Sequence, residues 1–316
     1  MALSDGRHFK AYMALNLSVL FWGFSFIATK IALESFLTFT LVFARFSMGA
    51  CLFLALMAGR GFPHFTLRDH GKVLLTALFE PGLYFVFETI GLQHTTAPKA
   101  ALIIATIPVV VLVFAAVVLR ERTRMGGIFG MGISLAGIAV LITGDPEFTW
   151  TLGGQVLGDL LIFGAVVSAA LYIVCARGLG QNHSALDFTG MQIIYGALLY
   201  APAFLWELPR VAWLGISARS LGALAFLTIF ATVGAFLCYN YALTKVPATR
   251  AAVFINGIPV VTALGAWVIL DEKLTLVQAF GGVMVLAGVC LTNLPGIHTV
   301  PRELDETFSR TSGIQG

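Results

Sequence analysis

The sequence has few charged residues. Only 11% of its 316 residues are Asp, Glu, Lys or Arg, and 58% are hydrophobic, whereas about a quarter of an average soluble domain is charged. A soluble fold of this size could not cover its surface with 35 charged residues (19 basic and 16 acidic). The mean hydropathy of +0.91 excludes an intrinsically disordered chain as well. We therefore expect a protein that crosses a membrane several times.

Several kinds of functional site are missing too. The four cysteines have no CxxC spacing, which argues against a disulfide framework or a cysteine-rich metal site. A formal charge of +3 is too small to indicate a nucleic-acid partner. No P-loop and no HExxH motif occur, so we expect no cofactor, no metal and no enzyme. His64 and Asp69 have an acyltransferase-like spacing, which keeps a membrane-embedded enzyme as an alternative.

Long runs without charge indicate how often the chain crosses the membrane. Eight runs of 17 to 28 residues lack charged side chains, and a spanning helix needs roughly 20 apolar residues. Two further apolar stretches are interrupted, one by Arg45 and the other by Glu80 and Glu88. We predict ten helices, over residues 12–31, 38–58, 72–91, 98–119, 125–143, 156–176, 187–206, 220–243, 250–270 and 275–294.

An internal repeat relates the two halves of the chain. Residues 91–144 align without gaps with residues 242–295 at a constant offset of 151, which places Ile107–Val110 on Ile258–Val261. Because each half has five helices, an odd number, the second half enters the membrane upside down. We predict an all-α polytopic membrane protein with ten transmembrane helices in two inverted five-helix repeats. The repeats span residues 1–145 and 152–295, and a polar cytoplasmic tail follows over residues 296–316. Inverted repeats are typical of secondary transporters.

The basic residues set the expected orientation. With the N-terminus inside, 13 Lys and Arg residues lie in inner segments and 5 in outer segments, which favours cytoplasmic termini. We expect a multi-pass protein of the cell (inner) membrane whose partners are the lipid bilayer and a small-molecule substrate. Gly126-x-x-x-Gly130 and Gly281-Gly282 permit close helix packing and leave a monomer or a homodimer open.

Short motifs add a family resemblance. The segment Leu20–Phe26, the two Ile-Pro-Val-Val segments and the pairs Glu121–Arg122 and Glu272–Lys273 resemble the drug/metabolite transporter superfamily. The likeness is to its ten-helix EamA type and covers residues 10–295, with the greatest similarity to YddG-type aromatic amino-acid exporters. It implies EamA-like repeats and a secondary transporter that exports neutral, apolar or aromatic amino acids and related metabolites by alternating access. The alternatives are multidrug efflux of lipophilic cations and, less favoured, the membrane-embedded enzyme.

Two prolines lie in the middle of predicted helices. Pro108 and Pro259 occupy equivalent repeat positions, and each frees the carbonyl four residues earlier, that of Ile104 or Ile255. An ordinary kink would explain either proline alone. Since the pair is matched, we predict that both prolines line the site and permit a gating motion.

Aromatic and amide side chains supply the candidate cavity. Trp22 and Phe26 share one face of the first helix, and the third, eighth and ninth helices carry further residues of this kind. Most aromatic residues of such a chain face lipid or fill the core, so these are selected by position. The predicted cavity residues are Trp22, Phe26, Tyr84, Phe87, Glu88, Tyr239, Asn240 and Asn256.

Each charged residue inside or at the end of a span has two possible roles. Lys99 and Arg250 begin the fourth and ninth helices. We predict that they act as mouth cations for a substrate carboxylate, unless they extend into the lipid headgroups. Arg45, Glu80 and Glu88 lie within spans, where charge is costly. They form a structural ion pair between helices, or Glu80 or Glu88 binds a substrate ammonium or a coupling proton.

Overall fold

Helices are the only regular structure in the described part of the chain. The computed structural model describes residues 6–118, 125–144, 153–176, 183–243, 245 and 254–292. Among these, six helices are long and apolar enough to cross a membrane, and four shorter apolar helices accompany them. The all-helical, polytopic prediction is confirmed at this level.

Most of the predicted helical segments coincide with observed helices, but the segments 72–91, 98–119 and 220–243 are divided, the last by a π-type turn over Leu227–Gly234. Residues 119, 250–253 and 293–294 of the predicted segments lie outside the described residues. Capping side chains set several helix starts, as where Thr66 and Asp69 bond to each other's backbone amides. The helices are α1 (Gly6–Leu33), α2 (Thr38–Arg60), α3 (Leu67–Ala77), α4 (Tyr84–Gly91), α5 (Ala97–Ile104), α6 (Ile107–Val118), α7 (Met125–Thr143), α8 (Gly154–Ala176), α9 (Ala185–Glu207), α10 (Ala218–Phe226), α11 (Ala235–Leu243), α12 (Ile258–Leu270) and α13 (Leu276–Thr292).

The prolines of the repeat mark true helix interruptions. α5 ends at Ile104 and α6 begins at Ile107, so Pro108 lies in the first turn of α6. Pro259 likewise occupies the first turn of α12. A proline is well tolerated there because the amide hydrogen it lacks would have no intrahelical partner. The predicted interruption is confirmed, whereas the gating role stays a prediction.

A further interruption was not predicted. Between α3 and α4 the chain forms a wide π-type turn over Leu78–Leu83, and Glu80 has an extended backbone (φ −142°, ψ 115°). Gln192 of α9 donates a 2.6 Å hydrogen bond to the Glu80 carbonyl, and the Tyr200 hydroxyl donates to the Pro81 carbonyl at 3.0 Å. These bonds satisfy carbonyls that the break releases within the membrane. The Pro81-Gly82 dipeptide was the available sequence signal.

Glycines bring α7 and α13 into direct backbone contact. A Cβ on Gly137 would lie 2.7 Å from the Val285 amide nitrogen, and one on Gly288 would lie 2.5 Å from that of Ser134. Gly281 is equally close to α7. The small-residue face expected on these two helices is therefore filled within one chain.

The two halves of the chain interleave. α1 packs against α10, α11 and α12, α2 packs against α9, and α4 packs against α8. Each of these contacts joins a helix from the first half of the sequence to one from the second. A space in the middle of the bundle is consequently lined by both halves.

Candidate functional site

A cavity lies between the helices of the bundle. Its volume is about 80 Å³, which is enough for several water molecules. Most of its lining residues come from α1, α4, α8 and α11, together with the residues on either side of the two proline-associated breaks. Ile104 and Ile255, whose carbonyls the prolines were predicted to free, both belong to this lining.

Aromatic rings form one wall of the cavity. The Trp22 ring centroid lies 5.1 Å from that of Tyr239 and 5.5 Å from that of Phe236. Phe26, one helical turn from Trp22, lines the same space, and so does Tyr84 of α4. Contacts at these distances suit offset or edge-to-face packing. The structure thus brings together four of the predicted aromatic residues.

Polar side chains lie among these rings. Asn240 lines the cavity, and its amide nitrogen donates to the Thr189 hydroxyl at 2.5 Å. Ser25 and Tyr172 also line the cavity, although neither was predicted. Only the polarity of Tyr172 within an apolar span could have pointed to it.

Arg45 enters the cavity without a direct ion pair. It is 3% exposed, its Nε donates to the Thr232 hydroxyl at 2.6 Å, and its guanidinium carbon lies 4.5 Å from the Phe85 ring centroid. No carboxylate of the described residues lies within 4.0 Å of it. The ion-pair interpretation is therefore corrected, because a hydroxyl and an aromatic face hold this guanidinium instead.

Two carboxylates line the cavity beside Arg45. Glu88 is 2% exposed, accepts a 3.3 Å hydrogen bond from Thr89, and is the charged group that interacts most strongly with Arg45. Glu80 belongs to the wide turn and is half-buried. Its carboxylate has no hydrogen-bond or ion-pair partner among the residues that the structure describes. The cavity therefore holds two carboxylates and one guanidinium.

Two predicted cavity residues do not line it. Phe87 turns toward α8, where a Cβ on Gly164 would lie 3.3 Å from its ring. Asn256 precedes α12, and its buried amide atoms have no hydrogen-bond partner in the described part of the chain. Both were selected by sequence position, which does not fix the direction of a side chain about the helix axis. The two prolines also flank the lining without contributing to it.

Lys99, predicted as a mouth cation, is buried and paired in this structure. It is 1% exposed, and its Nζ lies 2.7 Å from Asp159 Oδ2. The Thr95 hydroxyl donates to the other Asp159 oxygen at 2.7 Å. A lysine removed from water requires such a counterion, and sequence analysis did not select Asp159 as its partner. Arg250, the equivalent residue of the repeat, lies outside the described residues.

A second ion pair lies next to the first. Lys30 Nζ, near the end of α1, lies 2.5 Å from Glu272 Oε1 and donates to the Thr95 carbonyl at 2.8 Å. The other Glu272 oxygen accepts from the Ala97 amide at 2.8 Å, at the start of α5. Thr95 thus connects this pair to Asp159. We call the group of Lys30, Thr95, Lys99, Asp159 and Glu272 the end cluster.

Sequence comparison identifies the family. The profile of the EamA-like transporter family matches residues 9–143 and again residues 156–294, which together make up most of the chain. The chain belongs to the EamA-like transporter family. The predicted recognition is confirmed.

Relatives of this EamA-like transporter match along nearly their whole length. An "Uncharacterized transporter" of Archaeoglobus fulgidus is 28% identical over 281 residues, covering 89% of this chain and 97% of the relative. A "Probable terminal-alkyne amino-acid exporter" of Streptantibioticus cattleyicolor is 26% identical over 288 residues, covering 90% and 93%. Among the solved structures that match, a crystal structure has a TM-score of 0.64 at 18% identity over 89% of this chain and 95% of that chain, which shows the fold alone.

Family membership gives the cavity its general meaning. The chain is a multi-pass membrane transporter, and its family and relatives are named for transport, which favours a non-enzymatic role. Transporter cavities between two halves of a chain hold small-molecule substrates. The residues that line the cavity are therefore the candidates for contact with the substrate of this EamA-like transporter.

Proposed function

We propose that this EamA-like transporter exports neutral, apolar or aromatic amino acids across the cell membrane by alternating access. The observation that carries the proposal is the aromatic wall of Trp22, Phe26, Tyr84 and Tyr239, combined with charged groups in the same cavity. Apolar rings favour a ring or alkyl side chain through burial and stacking. Fixed charges of both signs suit the two ends of an amino acid.

The relative from Streptantibioticus cattleyicolor supports the substrate class. Its description names an amino-acid exporter, and its match extends over both halves of this chain. At 26% identity the likeness is too distant to transfer a particular side chain. The class of neutral amino acids therefore rests on the cavity and this relative together.

We further propose ten spans in two inverted halves, over residues 1–145 and 152–295, with both termini and the tail 296–316 in the cytoplasm. The double match of the family profile supports two related halves. The interleaved packing of the helices is compatible with halves that meet around a central site.

Alternating access is supported by the size of the cavity and the breaks around it. A volume of about 80 Å³ is smaller than the roughly 300–1,000 Å³ of ordinary ligand pockets, so helices must separate to admit an aromatic amino acid. The break between α5 and α6, the one before α12 and the wide turn at Glu80 all adjoin the lining. Interrupted helices supply the hinges for such a motion.

Efflux of lipophilic cations is the second candidate. Two carboxylates and one guanidinium line the cavity, so its formal charge is −1 and attracts cations. Aromatic rings bind organic cations as readily as they bind apolar side chains. The two candidates differ in whether the substrate needs a carboxylate.

Vesicles carrying the purified protein test the proposal. We expect efflux of labelled phenylalanine, tryptophan or leucine, and Trp22→Ala should weaken phenylalanine transport about ten-fold, because an aromatic contact contributes about 0.5–1.5 kcal/mol beyond its burial. Trp267→Ala is the matched control, since Trp267 is 55% exposed on the outside of α12. Movement of quaternary-ammonium drugs without any neutral amino acid would instead establish the second candidate.

A further inference from the structure

Arg45 has an unused donor in the cavity wall. Its Nε–H donates to Thr232, but Nη2 is buried with no hydrogen-bond partner among the residues that the structure describes. A buried guanidinium donor without an acceptor is costly, and planar guanidinium groups bind carboxylates well. Arg45 is the only basic residue among the lining residues that the structure describes.

Glu80 offers the complementary group. Its carboxylate lines the same cavity without a hydrogen-bond or ion-pair partner in the described part of the chain. The phenol side chains of Tyr84, Tyr172 and Tyr239 line the same cavity. A carboxylate that shares a cavity with aromatic rings is a favourable setting for an ammonium group.

Glu88 and Lys99 do not compete for these roles. Glu88 is the principal charged neighbour of Arg45 and offsets part of its charge, yet it leaves Nη2 without a partner. Lys99 is neutralised by Asp159 in the end cluster. The charged groups of the lining that lack a hydrogen-bond or ion-pair partner among the described residues are consequently the buried Nη2 of Arg45 and the carboxylate of Glu80.

We infer that the cavity binds the two ends of one amino acid separately, the α-ammonium on Glu80 and the α-carboxylate on Nη2 of Arg45. The inference rests on the proposed function and names the residues that recognise the substrate. Thr232 positions the guanidinium through its 2.6 Å hydrogen bond. The aromatic wall that includes Trp22 receives the side chain.

The formal charge of the lining sets an order among ligands. With a net charge of −1, the cavity accepts an ammonium compound that lacks a carboxylate more readily than a carboxylate compound that lacks an ammonium. L-phenylalanine should bind most tightly, L-phenylalaninamide about ten-fold or more less tightly, and L-phenyllactate least. A charge-assisted hydrogen bond accounts for a loss of this size.

Calorimetric binding to the purified full-length protein tests the assignment. Arg45→Gln should weaken phenylalanine binding about ten-fold or more and should not weaken phenylalaninamide binding, because the loss of a positive charge favours a cation. Glu80→Gln should weaken the binding of both ammonium ligands and should not weaken phenyllactate binding, because the loss of one negative charge favours an anion. Glu34→Gln and Arg219→Gln, which alter an exposed ion pair, serve as matched controls.

The wild-type ligand series needs no variant and is independent of any folding defect. Equal affinity for phenylalanine and its amide would overturn the assignment, and so would equal losses of affinity for every ligand in Arg45→Gln. If phenylalanine efflux from vesicles were still observed, the proposed function would remain intact. If the wild-type protein neither binds nor moves any neutral amino acid, the proposed function and the assignment both fail.

Discussion

At the scale of single residues, the environment of a charge decides its role. Lys99 and Arg45 are both basic residues in apolar surroundings, but Lys99 is neutralised by Asp159, whereas Arg45 keeps an unpartnered nitrogen beside the cavity. The first arrangement stabilises contacts between helices. The second leaves binding capacity for a ligand.

Breaking the buried pair should destabilise the protein strongly. Lys99→Met or Asp159→Leu alone leaves one uncompensated buried charge, for which we expect a loss of about 3–5 kcal/mol in the free energy of unfolding. The double variant should lose much less, because neither charge remains. Denaturant titration in mixed micelles measures these differences.

An exposed pair provides the comparison. Arg219→Met disrupts the 3.3 Å contact with Glu34 and should cost no more than about 1 kcal/mol. Equal stability of the Lys99 and Arg219 variants would contradict a special role for burial. A double variant less stable than either single variant would do the same.

At the scale of helices, interruptions bring polar groups into the apolar interior. The wide turn of Leu78–Leu83 places Glu80 at the cavity, and α9 satisfies its backbone through Gln192 and Tyr200. Gly196 makes room for this turn, since a Cβ there would lie 2.3 Å from Pro81 Cγ. The same wide turn thus interrupts the helix and places a carboxylate at the cavity.

Replacing the first-turn prolines should impair transport more than stability. In Pro108→Ala and Pro259→Ala, alanine supplies the missing amide and lets the preceding helix continue, which stiffens the break. We expect phenylalanine efflux from vesicles to fall several-fold while Tm changes by only a few degrees.

Pro202→Ala is the matched control for this experiment. Pro202 also lies inside a membrane helix, α9, but it is exposed and does not adjoin the cavity. Its replacement should leave efflux unchanged. Full transport by the Pro108→Ala, Pro259→Ala double variant would remove the gating argument.

At the scale of the whole molecule, the two halves form one structure instead of two neighbouring domains. Contacts between halves run through α1, α2, α4 and α7 of the first half. A motion of one half must therefore change the lining supplied by the other. The transport mechanism therefore depends on how the chain is oriented in the membrane.

Single-cysteine labelling checks the proposed topology. In a background without the four native cysteines, His64→Cys should react only with reagent on the cytoplasmic side, because the 13-to-5 charge division places its loop inside. Leu214→Cys, fully exposed between α9 and α10, and a cysteine within residues 145–152 should react only from outside. Labelling of the latter segment only from the cytoplasm would contradict two inverted halves.

The sequence by itself determined the helical segments, the repeat and the two proline breaks. Each depends on local chemistry: the apolar length of a span, the identity of aligned residues, and the missing amide of Pro108 and Pro259. Trp22 and Phe26 were placed on one face because helical periodicity is also local.

Only the tertiary structure decided which side chains meet. Lys99 pairs with Asp159, and Arg45 bonds to Thr232, far away in the sequence. Phe87 and Asn256 lie on cavity-bearing segments but do not line the space. The rotation of each helix about its axis is fixed by close packing with partners from the other half, through contacts such as those of α1 with α11 and α12. In a nearly uniformly apolar span, the pattern of hydrophobic residues does not show which face of the helix points toward the cavity.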